Sequence, residues 1–221
     1  MDLLAKLSMC VERGKVNQNS PFPPDLKGQL GADELTKLAL EESIPPKEIL
    51  SDALIDGMRK IGVKFRDNKV FVPEVLMAAK AMGTAMEHLR PFFISGEIQK
   101  MGIMAIGTVT GDLHDIGKNL FGMMAEGAGW EIIDLGVDVS TEKFMAEIEK
   151  NTNVIIGLSA LLTTTMVNMK KTTEAIKAKF PNTKVLIGGA PVTEDFCIEI
   201  GADFYASDPQ VAIEYLNNLS K

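Results

Sequence analysis

A histidine and two carboxylates lie on the turn that follows an apolar run, and these are the residues with the clearest chemistry in the sequence. The run at residues 103–109 is typical of a buried strand, and residues 111–117 follow it directly. Such loops are where an open α/β sheet binds its ligand. An imidazole there can offer one ring nitrogen to a metal while the other donates to a carboxylate, which fixes the tautomer. The pattern Asp112-x-His114-x-x-Gly117 is therefore a candidate metal site, with Asp112 as the partner that orients the histidine.

Two other interpretations apply to the same residues. A histidine beside an aspartate at the start of a helix is more often an ordinary polar pair than a metal ligand. A phosphate-binding P-loop is a weaker alternative, because it places one residue fewer between its glycines and a Ser or Thr after its Lys. Five residues separate Gly111 from Gly117, and Asn119 follows Lys118. The acidic residues of the loop would also repel a phosphate from the helix N-terminus.

Composition and charge limit the classes of protein that the sequence can encode. The chain has 221 residues with 46% hydrophobic content, which is enough for two small domains with separate cores. A net charge of -7 disfavours nucleic-acid binding. No apolar run approaches the roughly 20 residues of a membrane helix, so we expect a cytoplasmic protein with no membrane partner. Cys10 and Cys197 belong to no spacing motif, and we expect both to be small buried hydrophobic residues in a reducing compartment.

The first half of the sequence has the periodicity of helices. Apolar positions at three- and four-residue spacing predict helices over residues 3–11, 32–42, 47–61 and 73–90. The breaker-rich residues 14–31 predict a long irregular connection, Pro73 is expected in the first turn of the fourth helix, and Pro91 is expected to end it. Four helices joined by turns imply a four-helix bundle over residues 1–95, with a linker at residues 96–100.

The second half alternates between strand and helix patterns. The predicted strands are residues 103–109, 131–135, 154–158, 184–187 and 202–206, and helices are expected to begin near Ile116, Ser140, Thr165, Val192 and Asp208. Ser140 is an expected N-cap, and Asp208 followed by Pro209 is an expected cap with a proline at the first helical position. Five such units imply an α/β domain over residues 96–221, with a flavodoxin-like (Rossmann-like), five-stranded parallel sheet.

Three loops at the carboxyl ends of the predicted strands hold polar or very small residues. They are residues 111–117 after the first strand, residues 159–165 after the third, and Gly188-Gly189-Ala190 after the fourth. The hydroxyls of the second loop can simply cap a helix, and the two glycines can simply form a tight turn. Because the carboxyl ends of parallel strands meet at one edge, we expect the three loops to converge. Gly188 and Gly189 would then allow close approach of a bulky ligand.

Taken together, Asp112-x-His114-x-x-Gly117, Ser159-x-Leu161-x-Thr163 and Gly188-Gly189 resemble the cobalamin-binding domains of corrinoid methyl carriers and of cobalamin-dependent methionine synthase. The resemblance covers nearly the whole chain. It implies that the benzimidazole of cobalamin leaves cobalt, that His114 replaces it as the lower ligand, and that the displaced nucleotide tail lies between the Ser159 loop and the two glycines. Thr165 stands where the methionine synthase pattern has a Ser, so the hydroxyl is kept and the geometry of the relay through Asp112 stays open.

The same resemblance extends to the helical half, which looks like the cap over the methyl-bearing face of the corrin. It places Phe65 and Val72 against that face, and ordinary bundle core is the less favoured alternative for both residues. The full set of cofactor-binding residues that it implies is Phe65, Val72, Gly111, Asp112, Leu113, His114, Asp115, Ile116, Gly117, Ser159, Leu161, Thr163, Thr165, Gly188, Gly189, Ala190, Tyr205 and Ala206, with His114 as the only metal ligand.

The resemblance implies a non-catalytic carrier subunit of a methyltransferase system. Cobalt would take a methyl cation from a donor methyltransferase and pass it to an acceptor methyltransferase, and a reductive activator of the corrinoid would be a third partner. The stretch 23–29, followed by residues 31–35, resembles corrinoid proteins of aryl methyl ether O-demethylase systems, with tetrahydrofolate as the expected acceptor. A methylamine or methanol system is the alternative donor. A cobalamin-dependent regulator and a receiver-like signalling domain are the alternative classes.

Overall fold

The computed structural model describes residues 2–219 and separates into two compact units. The helical unit contains residues 2–100 together with Gly127–Gly129, and the sheet unit contains residues 101–126 and 130–219. Within the described residues, no helix is both long enough and apolar enough to span a membrane.

The helical unit contains the predicted helices. Its elements are α1 (Leu3–Glu12), a 3₁₀ turn (Pro24–Leu26), α2 (Ala32–Glu41), α3 (Pro46–Glu48), a π-helical segment (Ile49–Ile55), α4 (Asp56–Arg66) and α5 (Val72–Ile94). The predicted third helix corresponds to α3, the π-helical segment and α4, which follow one another without a break. The observed helix ends at Arg66, five residues after the predicted end at Ile61. The apolar pattern misses the last turn because Lys64 and Arg66 there are polar.

The prediction that Pro91 ends the fourth helix is wrong. Helix α5 continues through Pro91 to Ile94. A proline lacks its own amide donor and crowds the carbonyl four residues before it, but the amides that follow it can still donate to earlier carbonyls, so the helix can continue past it. The carbonyl of Pro91 still accepts a hydrogen bond from the Ser95 amide at 2.9 Å, which closes the final turn.

Polar contacts supplement the apolar core of the helical unit. Asp56 on α4 accepts a hydrogen bond from Ser8 on α1 at 2.7 Å and pairs with Lys60 at 2.6 Å. Burial alone would raise the pKa of Asp56, but hydrogen bonds from Lys60, Ser8 and Arg59 outweigh it and lower the pKa to about 2. Helices α2 and α5 are joined by Asp33 and His88, whose side chains meet at 2.6 Å.

The sheet unit has the predicted α/β architecture. Its elements are β1 (Ile103–Thr108), α6 (Ile116–Gly127), β2 (Glu131–Asp134), α7 (Thr141–Lys150), β3 (Ile155–Ser159), α8 (Met166–Lys179), β4 (Val185–Gly188), α9 (Glu194–Ile200), β5 (Phe204–Ala206) and α10 (Pro209–Leu219). All strand pairs are parallel, and the order β2-β1-β3-β4-β5 is that of a flavodoxin-like sheet. The chain reverses its winding direction between β1 and β3.

The observed first residues of the helices in the sheet unit agree with the predicted ones except in one helix. Asp208 caps α10 by accepting hydrogen bonds from the Gln210 and Val211 amides, as predicted. Ser140 lies at the N-cap of α7, but its side chain makes no capping hydrogen bond. The helix expected near Val192 begins at Glu194 instead, because the Thr193 hydroxyl accepts from the Phe196 amide and thereby sets the first turn.

The carboxyl edge of the sheet brings predicted site residues into one row. Thr108 on β1 pairs with Ser159 on β3, Ser159 with Gly188 on β4, and Gly188 with Ala206 on β5. A buried cluster that includes Phe144, Ile156 and Met169 supports the sheet beneath this edge. The three loops identified from the sequence therefore leave the sheet at the same level, on both sides of the point where the winding direction reverses.

Candidate functional site

The His114 side chain is oriented by a fully buried carboxylate. His114 Nδ1 lies 2.8 Å from Asp112 Oδ1, and the same oxygen accepts a hydrogen bond from the His114 amide at 3.1 Å. Asp112 has no exposed surface, whereas the His114 side chain is 50% exposed. An ionised carboxylate only accepts hydrogen bonds, so Nδ1 carries a hydrogen, and the neutral form of the imidazole then has its lone pair on Nε2. The nitrogen on the far side of the ring from Asp112 is thus the one that can bind a metal.

The second oxygen of Asp112 binds the loop that follows β3. Oδ2 accepts hydrogen bonds from the Leu161 amide at 2.7 Å and the Thr165 hydroxyl at 2.7 Å. A longer bond of 3.3 Å comes from the Leu162 amide. The extra methyl of Thr165 does not prevent this contact. Asp112 therefore joins the loop after β1 to the loop after β3 and, at the same time, holds the imidazole.

These hydrogen bonds keep Asp112 ionised. Burial alone would raise the pKa of its carboxyl, but the hydrogen bonds from Thr165, Leu161 and His114 outweigh burial and hold the pKa well below its usual range. A negative charge beside Nδ1–H raises the basicity of Nε2, which makes it a better metal ligand.

The two loops of the site carry exposed apolar side chains. Leu113, Ile116, Leu161 and Leu162 come from the two loops that Asp112 joins, and each is between 42% and 73% exposed. Within residues 2–219, no group of three or more His, Cys, Asp or Glu side chains could hold a metal ion. A metal held by His114 would therefore need other ligands from a cofactor.

A cleft of about 360 Å³ opens at the same edge of the sheet. Its floor is apolar and includes Met104, Ile106 and Leu186. Predicted residues that line the cleft are Gly117, Ser159, Gly188, Gly189, Ala190, Tyr205 and Ala206. The cleft therefore begins at the helix that follows His114 and continues between the ends of β3, β4 and β5.

Gly189 combines a special backbone conformation with a very close contact. Its φ is +131°, and an added Cβ would lie 1.8 Å from the carbonyl oxygen of Ala160. The neighbouring Gly188 is different, since its φ is ordinary and its Cβ would meet nothing closer than 3.4 Å. Gly189 is therefore required by the backbone itself, while Gly188 keeps the cleft open.

We expect Gly189→Ala to lower the free energy of unfolding by about 2–4 kcal/mol, because a strained φ and a backbone clash both act against the native state. Gly188→Ala is the matched control and should cost less than about 1 kcal/mol. Urea unfolding followed by circular dichroism measures both. Equal losses for the two variants would show that the conformation of Gly189 is not essential.

Not all predicted residues meet in this site. Thr163 is exposed and lies outside the lining of the cleft. Gly111 (φ +84°) and Asp115, which accepts a hydrogen bond from Asn119 at 3.0 Å, shape the histidine loop. Phe65 in α4 and Val72 at the start of α5 belong to the helical unit, where both are partly exposed.

The structure adds residues that the sequence does not reveal. The Thr108 hydroxyl donates to the carbonyl oxygen of His114 at 2.9 Å, and Asn168 donates to that of Thr110 at 2.8 Å. Asp138, in the loop after β2, accepts a hydrogen bond from the Gly111 amide at 2.7 Å. The position of Asp138 just beyond a predicted strand is the one sequence signal that could have identified it.

Both cysteines behave as predicted for small buried residues. Cys10 and Cys197 are buried and unpaired, and burial raises the pKa of each thiol to about 11. Thiols with such pKa values are poor nucleophiles at neutral pH.

Comparison with known proteins connects this geometry to a family. The model of a B12 binding domain matches residues 102–214, and a second B12 binding domain model matches residues 29–90. A corrinoid protein of Desulfitobacterium hafniense is 37% identical over 191 residues, which cover 84% of this chain and 88% of the relative. Dimethylamine corrinoid protein 3 of Methanosarcina acetivorans is 39% identical, covering 77% and 81% respectively. The methanol:cobalamin methyltransferase complex of Methanosarcina barkeri contains a similar chain, with a TM-score of 0.80, 25% identity, and coverage of 99% and 79%.

Proposed function

We propose, because the chain belongs to the B12-binding corrinoid methyl-carrier proteins, that His114 is the lower axial ligand of cobalt in its cobalamin cofactor. The observation that carries this proposal is the pairing of His114 with Asp112. This pairing leaves the lone pair of Nε2 able to bind a metal, on a loop that carries exposed apolar side chains. A corrin would itself supply most of the other ligands of cobalt, so a single imidazole from the protein would be sufficient.

We further propose that the cleft holds the nucleotide tail of cobalamin with its base displaced from cobalt. The cleft adjoins the histidine loop through Gly117 and has an apolar floor suited to an aromatic base. An added Cβ at Gly117 would have no neighbour within 4 Å, so the fold itself does not require a glycine there. Glycine in a helix costs about 1 kcal/mol relative to alanine, and close approach of the tail accounts for that cost.

Bound cobalamin supplies the methyl-transfer chemistry, since cobalt accepts a methyl group and gives it up again. The chain itself acts by binding and orientation. Asp112 keeps the proton on Nδ1 of His114, and Thr165 and the Leu161 amide keep Asp112 ionised and fixed. The apolar side chains beside His114 exclude water from that side of the corrin.

We propose that the helical unit covers the methyl-bearing face, with residues 1–95 as the cap and residues 96–221 as the cofactor domain. Its match to a B12 binding domain model over residues 29–90 supports this role. The partial exposure of Phe65 and Val72 is consistent with an additional contact outside the core of the helical unit.

The partners of a carrier in this family are methyltransferases. We propose aryl methyl ethers as the source of the methyl group, tetrahydrofolate as the acceptor, and a reductive activator that restores Co(I). Support for the donor comes from the stretch at residues 23–35, through its resemblance to O-demethylase corrinoid proteins. Methylamines are the second candidate, because the relatives include a dimethylamine corrinoid protein with 39% identity.

A donor screen tests this proposal. The reconstituted protein is reduced to Co(I), mixed with the methyltransferase encoded beside it, and offered phenyl methyl ethers, methylamines or methanol separately. We expect the absorption of methylcobalamin to appear with the phenyl methyl ethers alone. Its appearance only with an amine or with methanol would replace the donor assignment, and its absence when methyl iodide is supplied instead would contradict the carrier role.

A further inference from the structure

The loop that follows β2, residues 135–140, contacts the backbone of the histidine loop. One residue makes both of the closest contacts. The amide of Asp138 donates to the carbonyl oxygen of Asp112 at 3.0 Å, and its carboxylate accepts from the Gly111 amide at 2.7 Å. Asp138 therefore holds the backbone of Gly111 and Asp112, which come three and two residues before the candidate ligand His114.

Asp138 makes these two bonds because its backbone is left-handed, with a φ of +52°. Asp and Asn adopt this conformation more readily than most other residues with a side chain. The left-handed turn aims its amide and its carboxylate toward the same partner segment. Gly111 on the partner side has a φ of +84°, so the two loops meet at a pair of turns.

The β2 loop is itself fixed to the sheet unit. Val139 forms a bridge with Val109, and the Thr110 hydroxyl donates to the Val139 carbonyl oxygen at 2.9 Å. At the other end of the loop, Asp134 accepts from the Gly136 amide at 2.8 Å and pairs with the buried Lys118 at 2.5 Å. Asp138 thus connects a firmly held loop to the segment that carries Asp112.

The side chain of Lys118, which also lines the cleft, completes this support. Its ammonium has three hydrogens, and three oxygen acceptors surround it: both carboxylate oxygens of Asp134, at 2.5 and 2.6 Å, and Asn119 Oδ1, at 2.7 Å. A fully satisfied ammonium has little to offer a phosphate in the cleft. Lys118 therefore joins the start of α6 to the end of β2.

We propose that Asp138 is a positioning residue that sets the strength of cobalt ligation by His114. The inference rests on the proposed function, in which His114 binds cobalt. Asp112 has contacts on two sides: its side chain is held by the loop after β3, and its backbone is held by Asp138. A change in the Asp138 contact shifts the Asp112 backbone and, through the carboxylate, the direction of the imidazole.

Three substitutions separate the two properties of Asp138. Asp138→Asn keeps an acceptor oxygen and tolerates the left-handed turn. Asp138→Gly keeps the turn and loses the acceptor, and Asp138→Ala loses both. We expect the ratio of histidine-bound to histidine-free Co(II) cobalamin to fall about three- to tenfold for the Gly variant, more for the Ala variant, and to recover in the Asn variant.

Two readouts distinguish positioning from general stability. Electron paramagnetic resonance of the Co(II) holoprotein gives the histidine-bound fraction, and hydrogen exchange of the apoprotein reports protection of the Gly111 amide. Loss of Gly111 protection with an unchanged histidine-bound fraction would overturn the inference. If nitrogen-15 histidine leaves the wild-type axial splitting unchanged, the proposed ligation by His114 fails instead, so the two failures are distinguishable.

Discussion

Replacing Gly117 with leucine is expected to weaken cobalamin binding about 5- to 140-fold while leaving the apoprotein as stable as the wild type or more so. An added Cβ at this position would have no neighbour within 4 Å in the protein alone, and Gly117 lines the cleft. Overpacking a ligand site costs about 1–3 kcal/mol, and each 1.4 kcal/mol is tenfold in affinity. Removal of a helical glycine stabilises the apoprotein by up to about 1 kcal/mol.

Absorption titration of the apoprotein with cobalamin measures the affinity, and urea unfolding measures the stability. Gly117→Ala should give a smaller loss of affinity, because a methyl group fills less of the cleft than an isobutyl group. Lys171→Leu, which places a leucine at an exposed position of α8, is the control and should bind cobalamin normally. Normal affinity in the Gly117→Leu variant would mean that the nucleotide tail does not pass this helix.

The second large effect is expected for Asp112→Asn, which should lower the ratio of histidine-bound to histidine-free cobalamin by about 10- to 100-fold. The amide keeps the size of the carboxylate but loses its charge, and only one of its two polar atoms can still accept the bonds of His114, Leu161 and Thr165. Retention of the cofactor should fall less, because the cleft is unchanged.

Asp115→Asn is the matched control for this substitution. It removes the same charge from the same loop, but the Asp115 carboxylate accepts its hydrogen bond from Asn119 and not from the imidazole. We expect ligation in this variant to stay within about twofold of the wild type. If both variants lose ligation equally, loop charge rather than the Asp112 hydrogen bond determines it.

The elements of the fold follow from local patterns, and the exceptions have local causes. The apolar periodicity that identifies each strand and helix after Met101 is set by a few neighbouring residues, so the elements can be read from the sequence. Their alternation then predicts the parallel sheet. Pro91 misleads because a proline removes only its own amide bond, and the amides that follow it can still continue the helix. The π-helical segment Ile49–Ile55 cannot be predicted from a three- and four-residue spacing, since it adds a residue to the turn without changing which side chains are apolar.

The candidate site is predictable only in part. Asp112 and His114 are close in sequence, so their pairing follows from the motif. The bonds from Leu161 and Thr165 to Asp112 cross about fifty positions of the chain and depend on β3 lying beside β1. The contacts of Asp138 depend on its own left-handed backbone, and no periodicity in the sequence reveals that conformation.

The most direct test of the account is electron paramagnetic resonance of the Co(II) holoprotein with nitrogen-15 in the histidines only. The unpaired electron of Co(II) cobalamin couples to the axial nitrogen, and the cofactor's own nitrogens remain nitrogen-14. Ligation by His114 predicts that the axial triplet becomes a doublet, and that His114→Ala abolishes the doublet. His88, which pairs with Asp33 in the helical unit, provides the control substitution His88→Gln. An unchanged triplet in the labelled protein would contradict ligation by His114.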